Sequence, residues 1–249
     1  MLRIAPVIDR LGQLFSADGH ELYLVGGSVR DALLGRLGHD LDFTTSARPD
    51  DIERLLRDFT RGVPGAAVWD IGKDFGTIGA RVPTDDDSVH WLIEVTTFRA
   101  DVYREDSRKP EVSYGDTIDG DLVRRDFTVN AMAIRLPARE FVDPHQGLRD
   151  LAAGQLRTPA TPQQSFSDDP LRMMRAARFT SQLSTDGVRF APVADVVAAM
   201  IEMAERIDII SAERVRDELC KLILTDNPRP GLNLLVETGI AQRVLPELP

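Results

Sequence analysis

Two aspartates separated by one residue, in the run Asp40-Leu41-Asp42-Phe43-Thr44, constrain this chain more than any other feature. Charged and apolar residues alternate there, so the run reads as a strand with one buried face. Side chains at i and i+2 of a strand share a face, with α-carbons roughly 7 Å apart. Asp40 and Asp42 therefore point one way, and Leu41 and Phe43 point into a core. A sheet covered on one side and open to carboxylates on the other fits this pattern. Two such carboxylates can converge on one cation, and hard oxygen ligands select Mg²⁺ or Mn²⁺ over zinc or copper. Alone, the same spacing also describes a solvated strand edge.

The segment before this strand narrows the choice. Gly26-Gly27 opens a helical stretch through Val29, Ala32 and Leu33 that Gly35 ends, with Ser28 placed to cap it. Backbone N–H groups at such a turn, with the positive end of the helix dipole, make an anion site, and Arg30 adds a charged fork. A triphosphate held there would present its α-phosphorus to metals on the next strand. The alternative is a tight turn with Arg30-Asp31 as a surface pair. A third carboxylate comes from Trp91-Leu92-Ile93-Glu94-Val95. Trp91, Ile93 and Val95 face one side of that strand and Glu94 the other, completing a metal cage or forming an ordinary polar edge.

Along the chain, periodicity and turn residues predict helices at 4–15 and 49–59, and strands at 21–25, 40–44, 77–82 and 89–95, with an acidic turn at 85–87. Residues 99–122 are polar, carry Pro110, Gly115 and Gly120, and read as a long mobile loop. Residues 127–136 return to the sheet, and 141–142 form a last short strand. From Asp168 the pattern is helical, over 170–182, 192–206, 211–224 and 232–237. A Pro- and Thr-containing stretch at 157–164 sets the expected boundary between a domain at 1–156 and a helical domain at 157–249.

Composition excludes several classes. A net charge of −10 argues against a surface that wraps nucleic acid, though not against a local site. Only Lys73, Lys109 and Lys221 among the 30 basic residues are lysines. The arginine fork suits phosphates and base edges, and genome composition can give the same bias. One cysteine, Cys220, permits neither an internal disulfide nor a thiolate zinc site. No apolar run approaches the roughly 18 residues of a membrane span, and the start lacks a signal-peptide pattern, so no membrane contact and a cytoplasmic location are expected. His39-Asp40 also invites a histidine-aspartate phosphohydrolase reading, but His20, His90 and His145 show no matching grouping.

Taken together, 24–36 and Asp40-Leu41-Asp42-Phe43-Thr44-Thr45 resemble the signature of class II tRNA nucleotidyltransferases, the CCA-adding enzymes, and of bacterial poly(A) polymerases. Further blocks agree in order: Glu94-Val95-Thr96-Thr97-Phe98-Arg99; Arg124-Arg125-Asp126-Phe127-Thr128-Val129-Asn130-Ala131; Asp143-Pro144 through Asp150-Leu151; Asp168-Asp169-Pro170-Leu171-Arg172; and Ser211-Ala212-Glu213-Arg214-Val215. The resemblance covers nearly the whole chain. It implies an α+β fold, a polymerase-β-like palm with a mixed sheet followed by an all-helical neck. It further implies Asp40 and Asp42 as metal ligands, and Gly26, Gly27, Ser28 and Arg30 around the triphosphate of ATP or CTP. Arg125, Asp126 and Asn130 are implied at the nucleotide, Asn130 sensing the ribose with help from Asp126, and the tRNA 3′ end is the implied partner.

Asp169 offers acceptors and Arg172 donors three residues on, a set that matches the edge of C or A at about 1–3 kcal/mol per bidentate contact. An acidic residue before Pro170 also serves as a helix cap. Arg172, Arg175 and Arg178 form a stripe that lines the nucleotide pocket or is a solvated face. Two departures stand out: Asp168 replaces the family's usual Glu, and the body and tail domains of the family are absent from the 249 residues. The expected activity is untemplated addition of C and A to tRNA by two-metal chemistry. The rivals are a poly(A) polymerase, an A-only or CC-only enzyme, a small-molecule nucleotidyltransferase and a non-catalytic RNA-binding module.

Overall fold

The computed structural model describes residues 6–70, 72–84, 89–102, 111–115, 117–185 and 187–247, and the acidic turn expected at 85–87 lies outside them. The chain divides into two compact units: Met1–Arg124 with Asn130–His145, and Arg125–Val129 with Gln146–Pro249. The stretch at 157–164 lies inside the second.

The first unit begins with α1 (Pro6–Ala17), whose Val7, Ile8, Leu11 and Phe15 recur at helical spacing and are buried. Then come β1 (Leu22–Val25), α2 (Gly27–Leu33), β2 (Asp40–Thr45) and α3 (Pro49–Thr60). Pro49 starts α3 at a position where its missing N–H costs nothing, Asp50 and Asp51 favour the helix dipole, and Ile52, Leu55, Leu56 and Phe59 are buried. Next are β3 (Ala67–Trp69), β4 (Thr77–Pro83), β5 (His90–Thr97), β6 (Arg99–Val102), β7 (Glu111–Tyr114), α4 (Ile118–Val123), β8 (Ala133–Leu136) and β9 (Glu140–Val142).

Seven of these strands form one mixed sheet in the order β3-β4-β5-β2-β1-β8-β9. β2 and β5 run parallel, and the other neighbours are antiparallel. β1 is buried along its whole length. Tyr23 and Val25 join Phe98, Leu122, Ala131 and Ala133 in one cluster, while Leu24, paired with Phe43, faces the other side. Gly12 brings α1 against β8, where an added Cβ would meet that of Leu136 at 2.6 Å.

Three expectations are corrected in this unit. Within the stretch expected as a loop, Arg99–Val102 pairs with Glu111–Tyr114 as β6 and β7, and Thr117 caps α4 by accepting from the Gly120 N–H at 3.2 Å. The polar/apolar alternation of Arg99–Val102 and Glu111–Tyr114 is a strand signal that the surrounding polar, Pro- and Gly-containing stretch obscures; 103–110 and 116 lie outside the described residues. Of 127–136, only Ala133–Leu136 is a strand, and Thr128–Asn130 is a 3₁₀ turn. β3 is absent from the sequence-based plan, since three residues carry no alternation.

The second unit holds α5 (Gly147–Ala153), β10 (Gln155–Leu156), α6 (Pro162–Asp168), α7 (Leu171–Gln182), β11 (Ala191–Pro192), α8 (Ala194–Glu202), α9 (Ala212–Ile223), α10 (Arg229–Glu237) and α11 (Ala241–Val244). It is helical apart from the two-residue parallel pair β10–β11. α7 is buried at all but two of its positions and is the axis of the unit. α10 presses on it through Gly231, whose N–H donates to Ser181 Oγ at 2.9 Å and whose added Cβ would meet the Ala177 carbonyl at 2.3 Å. The pattern over 192–206 breaks in two, because the chain tightens after Glu202 into a 3₁₀ segment, Ala204–Ile209. Among the described residues no helix is long and apolar enough to cross a membrane.

Candidate active site

β2 alternates as its sequence requires: Asp40 and Asp42 are exposed, and Leu41 and Phe43 are buried. Asp42 is the register partner of Glu94 on β5, so the three carboxylates share one face of the sheet. Burial and then the charges of Asp42 and Asp40 push the Glu94 carboxyl above its ordinary value. Like charge is thus concentrated on one patch. Across the same row, Gly79 is the partner of both Glu94 and Trp69, and the Trp69 indole lies where a side chain at Gly79 would stand, 2.2 Å from its ideal Cβ. Trp69 therefore walls the carboxylate patch beside Glu94. The residue patterns did not single it out, although a lone glycine inside a strand signals such a close approach.

The glycine turn is fastened directly to this strand. Gly26 has φ +67°, a conformation that favours glycine, and its N–H donates to the Met132 carbonyl at 3.3 Å. With Gly26 as the residue before the helix, Ser28 lies inside α2 and does not cap it, which corrects the expected role. Its hydroxyl instead donates to the Asp40 carbonyl at 3.1 Å and accepts from the Asp42 N–H at 3.0 Å. One side chain thus fixes the glycine turn against both acidic residues.

Arg30 is not a surface fork. It is 5% exposed, its Nη1 donates to Asn130 Oδ1 at 2.6 Å, and its Nε and Nη2 donate to Asp31 at 3.0 and 2.8 Å. Its guanidinium lies 3.5 Å from where a Cβ on Gly27 would stand, so it backs the turn. Two separate sequence blocks, at 26–31 and 124–133, meet in this hydrogen bond.

Among the described residues, the group of three His, Asp or Glu side chains with ligand atoms within 4.8 Å of one another is Asp18, His20 and Asp51. It lies toward the opposite end of β2, since Leu22 pairs with Thr45. Arg54 bridges Asp18 at 2.6 Å and Asp51 at 3.1 Å, so its charge is met within the protein. Asp40, Asp42 and Glu94 are not drawn to that spacing. Their hard oxygen donors, and the like charge gathered on one face, nevertheless fit a divalent cation of the magnesium type.

The other candidate residues lie in the second unit. Asp126 is buried, accepts from the Phe127 N–H at 2.8 Å and pairs with Arg175 at 2.7 Å; Arg125 beside it is half-buried. Asp169 Oδ1 accepts from the Leu171 N–H at 3.2 Å at the start of α7, in keeping with a helix-start role, and Oδ2 accepts from Arg214 at 2.9 Å. Arg172 donates to Ser165 Oγ at 2.9 Å. Arg178 is buried, donates to Glu218 at 2.6 Å, and lies over the Phe179 ring. The three arginines are therefore not one solvated row. Arg214 and Glu218 on α9 hold parts of α7 from the side.

The match to known proteins is extensive. Residues 22–157 match the family described as the poly A polymerase head domain. Residues 189–249 match one described as the probable RNA and SrmB-binding site of polymerase A. A CCA-adding enzyme of Levilactobacillus brevis is 40% identical over 95% of this chain and 54% of its own length. The crystal structure of the Bacillus stearothermophilus CCA-adding enzyme in complex with CTP superposes with a TM-score of 0.79 at 34% identity, over 98% of this chain and 55% of that one. A tRNA nucleotidyltransferase complexed with a primer tRNA and an incoming ATP analogue gives a TM-score of 0.74 at 26% identity, over 94% of this chain and 62% of that one. The chain spans about half the length of the curated relatives it matches. With its mixed sheet, acidic strand pair and glycine turn, it has the polymerase-β-like nucleotidyltransferase fold and belongs to the poly A polymerase head domain family, which it shares with the CCA-adding enzymes.

Proposed function

We propose that this chain is the catalytic portion of a cytoplasmic RNA nucleotidyltransferase that adds C and A from CTP and ATP to the 3′ end of tRNA without a nucleic-acid template. One observation carries the reading: Ser28 bonds the glycine turn to both Asp40 and Asp42 while Glu94 sits in register beside them. A phosphate cradle and a carboxylate patch are thereby held as one rigid piece. The CTP and the primer tRNA bound by the two solved relatives support the choice of substrates.

Asp40 and Asp42, with Glu94 beside them, would hold divalent cations, magnesium or manganese, whose chemistry when bound is to acidify the RNA 3′-hydroxyl and offset charge on the departing pyrophosphate. The backbone N–H groups of Gly27 and Ser28 face the triphosphate, and Arg30 supplies positive potential from behind them. Because Arg30 also donates to Asn130, the residue assigned to the ribose is oriented by the residue assigned to the phosphates. In the second unit, Asp126 is oriented by Arg175. Asp169 and Arg172 are assigned to the base, and Arg214 and Ser165 set their rotamers. Arg178, turned into the Glu218 pair, serves the fold. No side-chain nucleophile is required. The division into a head at 1–156 and a neck at 157–249 belongs to the same reading.

The test is incorporation of labelled CTP and ATP into a tRNA lacking its 3′ end. Wild-type chain should restore the end, and Asp42→Ala should fall by about 10²–10³-fold or more, the scale of removing a principal electrostatic stabiliser. Undiminished incorporation by Asp42→Ala would sink the reading. Long products with ATP alone would mark a poly(A) polymerase instead.

A further inference from the structure

The second unit contains a cavity of about 960 Å³ that none of the assigned roles uses. It opens beside the C-terminal end of α7 and the start of α10, and its lining includes Thr185, Arg189, Asp226, Asn227, Arg229 and Asn233. Asp169 and Arg172 occupy the other end of α7. With a rise of about 1.5 Å per residue, the two ends of this 12-residue helix are roughly 16 Å apart, so the cavity is separate from the base-reading pair.

Its two arginines differ from most others in the chain. Arg54, Arg57, Arg61, Arg135, Arg139, Arg175, Arg178, Arg214 and Arg243 each close an ion pair, whereas Arg189 and Arg229 meet no carboxylate among the described residues. In a chain of net charge −10, two cations without an internal partner on one concave surface need a reason. Both are also placed by rigid backbone. Gly154, with φ +65°, packs so closely on this segment that an added Cβ would lie 2.3 Å from the Arg189 carbonyl, and the Ala191 N–H donates to the Gly154 carbonyl at 2.9 Å. Arg229 begins α10, whose first turn is fixed to α7 through Gly231 and Ser181. The hydroxyls of Ser184 and Thr185 are engaged with local backbone, so the arginines, Asp226 and the two asparagines are what the cavity offers a ligand.

We propose that this cavity binds the RNA backbone, Arg189 and Arg229 holding a phosphodiester and Asp226 accepting from a ribose 2′-hydroxyl. Guanidinium forks match phosphate oxygens. A lone phosphate has no use for the Asp226 carboxylate, but a ribonucleotide brings a hydroxyl donor with its phosphate, which distinguishes RNA from DNA at such a position. An acidic peptide would satisfy the arginines and be repelled by Asp226. The match of 189–249 to an RNA-binding family favours the same class. The inference rests on RNA being the substrate, and it adds a second anchoring point on a different unit from the carboxylate patch.

The experiment compares wild type with Arg189→Ala/Arg229→Ala and Arg189→Lys/Arg229→Lys, using a labelled RNA hairpin with a 3′ single-stranded end. Fluorescence anisotropy over a salt series reads affinity, and steady-state incorporation reads KM for RNA, KM for CTP and kcat. The alanine variant should bind RNA about 10-fold more weakly, and its log–log salt slope should shrink by about one, the value for the single phosphodiester the two arginines share. KM for RNA should rise, with KM for CTP and kcat unchanged. The lysine variant should keep most of the slope, and Asp226→Asn should reduce the preference for RNA over DNA of the same sequence. Wild-type affinity and slope in the alanine variant overturn the proposal, as does a loss confined to an acidic peptide used as competitor. If RNA binding falls as stated but wild type incorporates no nucleotide, the cavity stands and the proposed function fails. If wild type binds no RNA, both fail.

Discussion

The carboxylate face of the first unit and the arginine helix of the second treat charge in opposite ways. On β2 and β5, Asp40, Asp42 and Glu94 share one face, and burial, followed by the charges of Asp42 and Asp40, raises Glu94. On α7, Arg172, Arg175 and Arg178 are each answered from within the protein, by Ser165, Asp126 and Glu218. Charge matched internally fixes a structure, whereas like charge gathered on a rigid face leaves a free-energy deficit that a ligand removes. The sheet contributes the chemistry, and the paired helix contributes the geometry.

The contrast is most vulnerable at the sheet. Asp40→Asn should lower nucleotide incorporation by about 10²–10³-fold while leaving the thermal midpoint near that of wild type, because it removes one repelling charge and no buried contact. A large fall in midpoint would show that the acidic face serves the fold. The converse applies to α7: Arg178→Ala leaves the buried Glu218 with only the longer contact to Lys221 at 3.6 Å and should cost about 3 kcal/mol in denaturant unfolding. Activity per folded molecule should change little, and a specific rise in KM for CTP or ATP would return Arg178 to the nucleotide site.

Gly79→Ala tests the wall at the edge of the acidic patch. The added methyl must displace the Trp69 ring, at about 1–3 kcal/mol by chemical unfolding, and the exposure of Trp69 should change its fluorescence. The smallest effect concerns Glu94 itself. Its carboxyl holds a proton more tightly in the folded chain than in the unfolded one, so without divalent cations stability should fall as pH rises through its raised value. Glu94→Gln should flatten that slope in a chelator-containing pH series. Added Mg²⁺ should reverse the slope in wild type, since the cation competes with the proton.

Much of the site is legible in the order of residues, because period-2 alternation in 40–44 and 91–95 follows from burial of one face. Both strands form with Leu41, Phe43, Ile93 and Val95 inside. The β6–β7 pair is less legible: Arg99–Val102 and Glu111–Tyr114 alternate, but they lie in a polar stretch with Pro110, Gly115 and Gly120, and only the pairing brings them together. Nor is the buried state of Arg30, since an arginine on a first helical turn reads the same whether it faces water or an asparagine a hundred residues away. Ser28 has the look of a helix cap because cap chemistry is local, but its partners are on the next strand.

Residue order alone is enough for the secondary-structure plan around the site, the shared face of Asp40 and Asp42, and the family to which the motifs point. These depend on local backbone geometry and on which residues tolerate water. Only packing settles that Ser28 joins the turn to the strand, that Trp69 occupies the space at Gly79, and which arginines are spent on the fold. Each of those is a contact between distant segments, and a side chain's chemistry does not reveal its partner until folding has brought the two together.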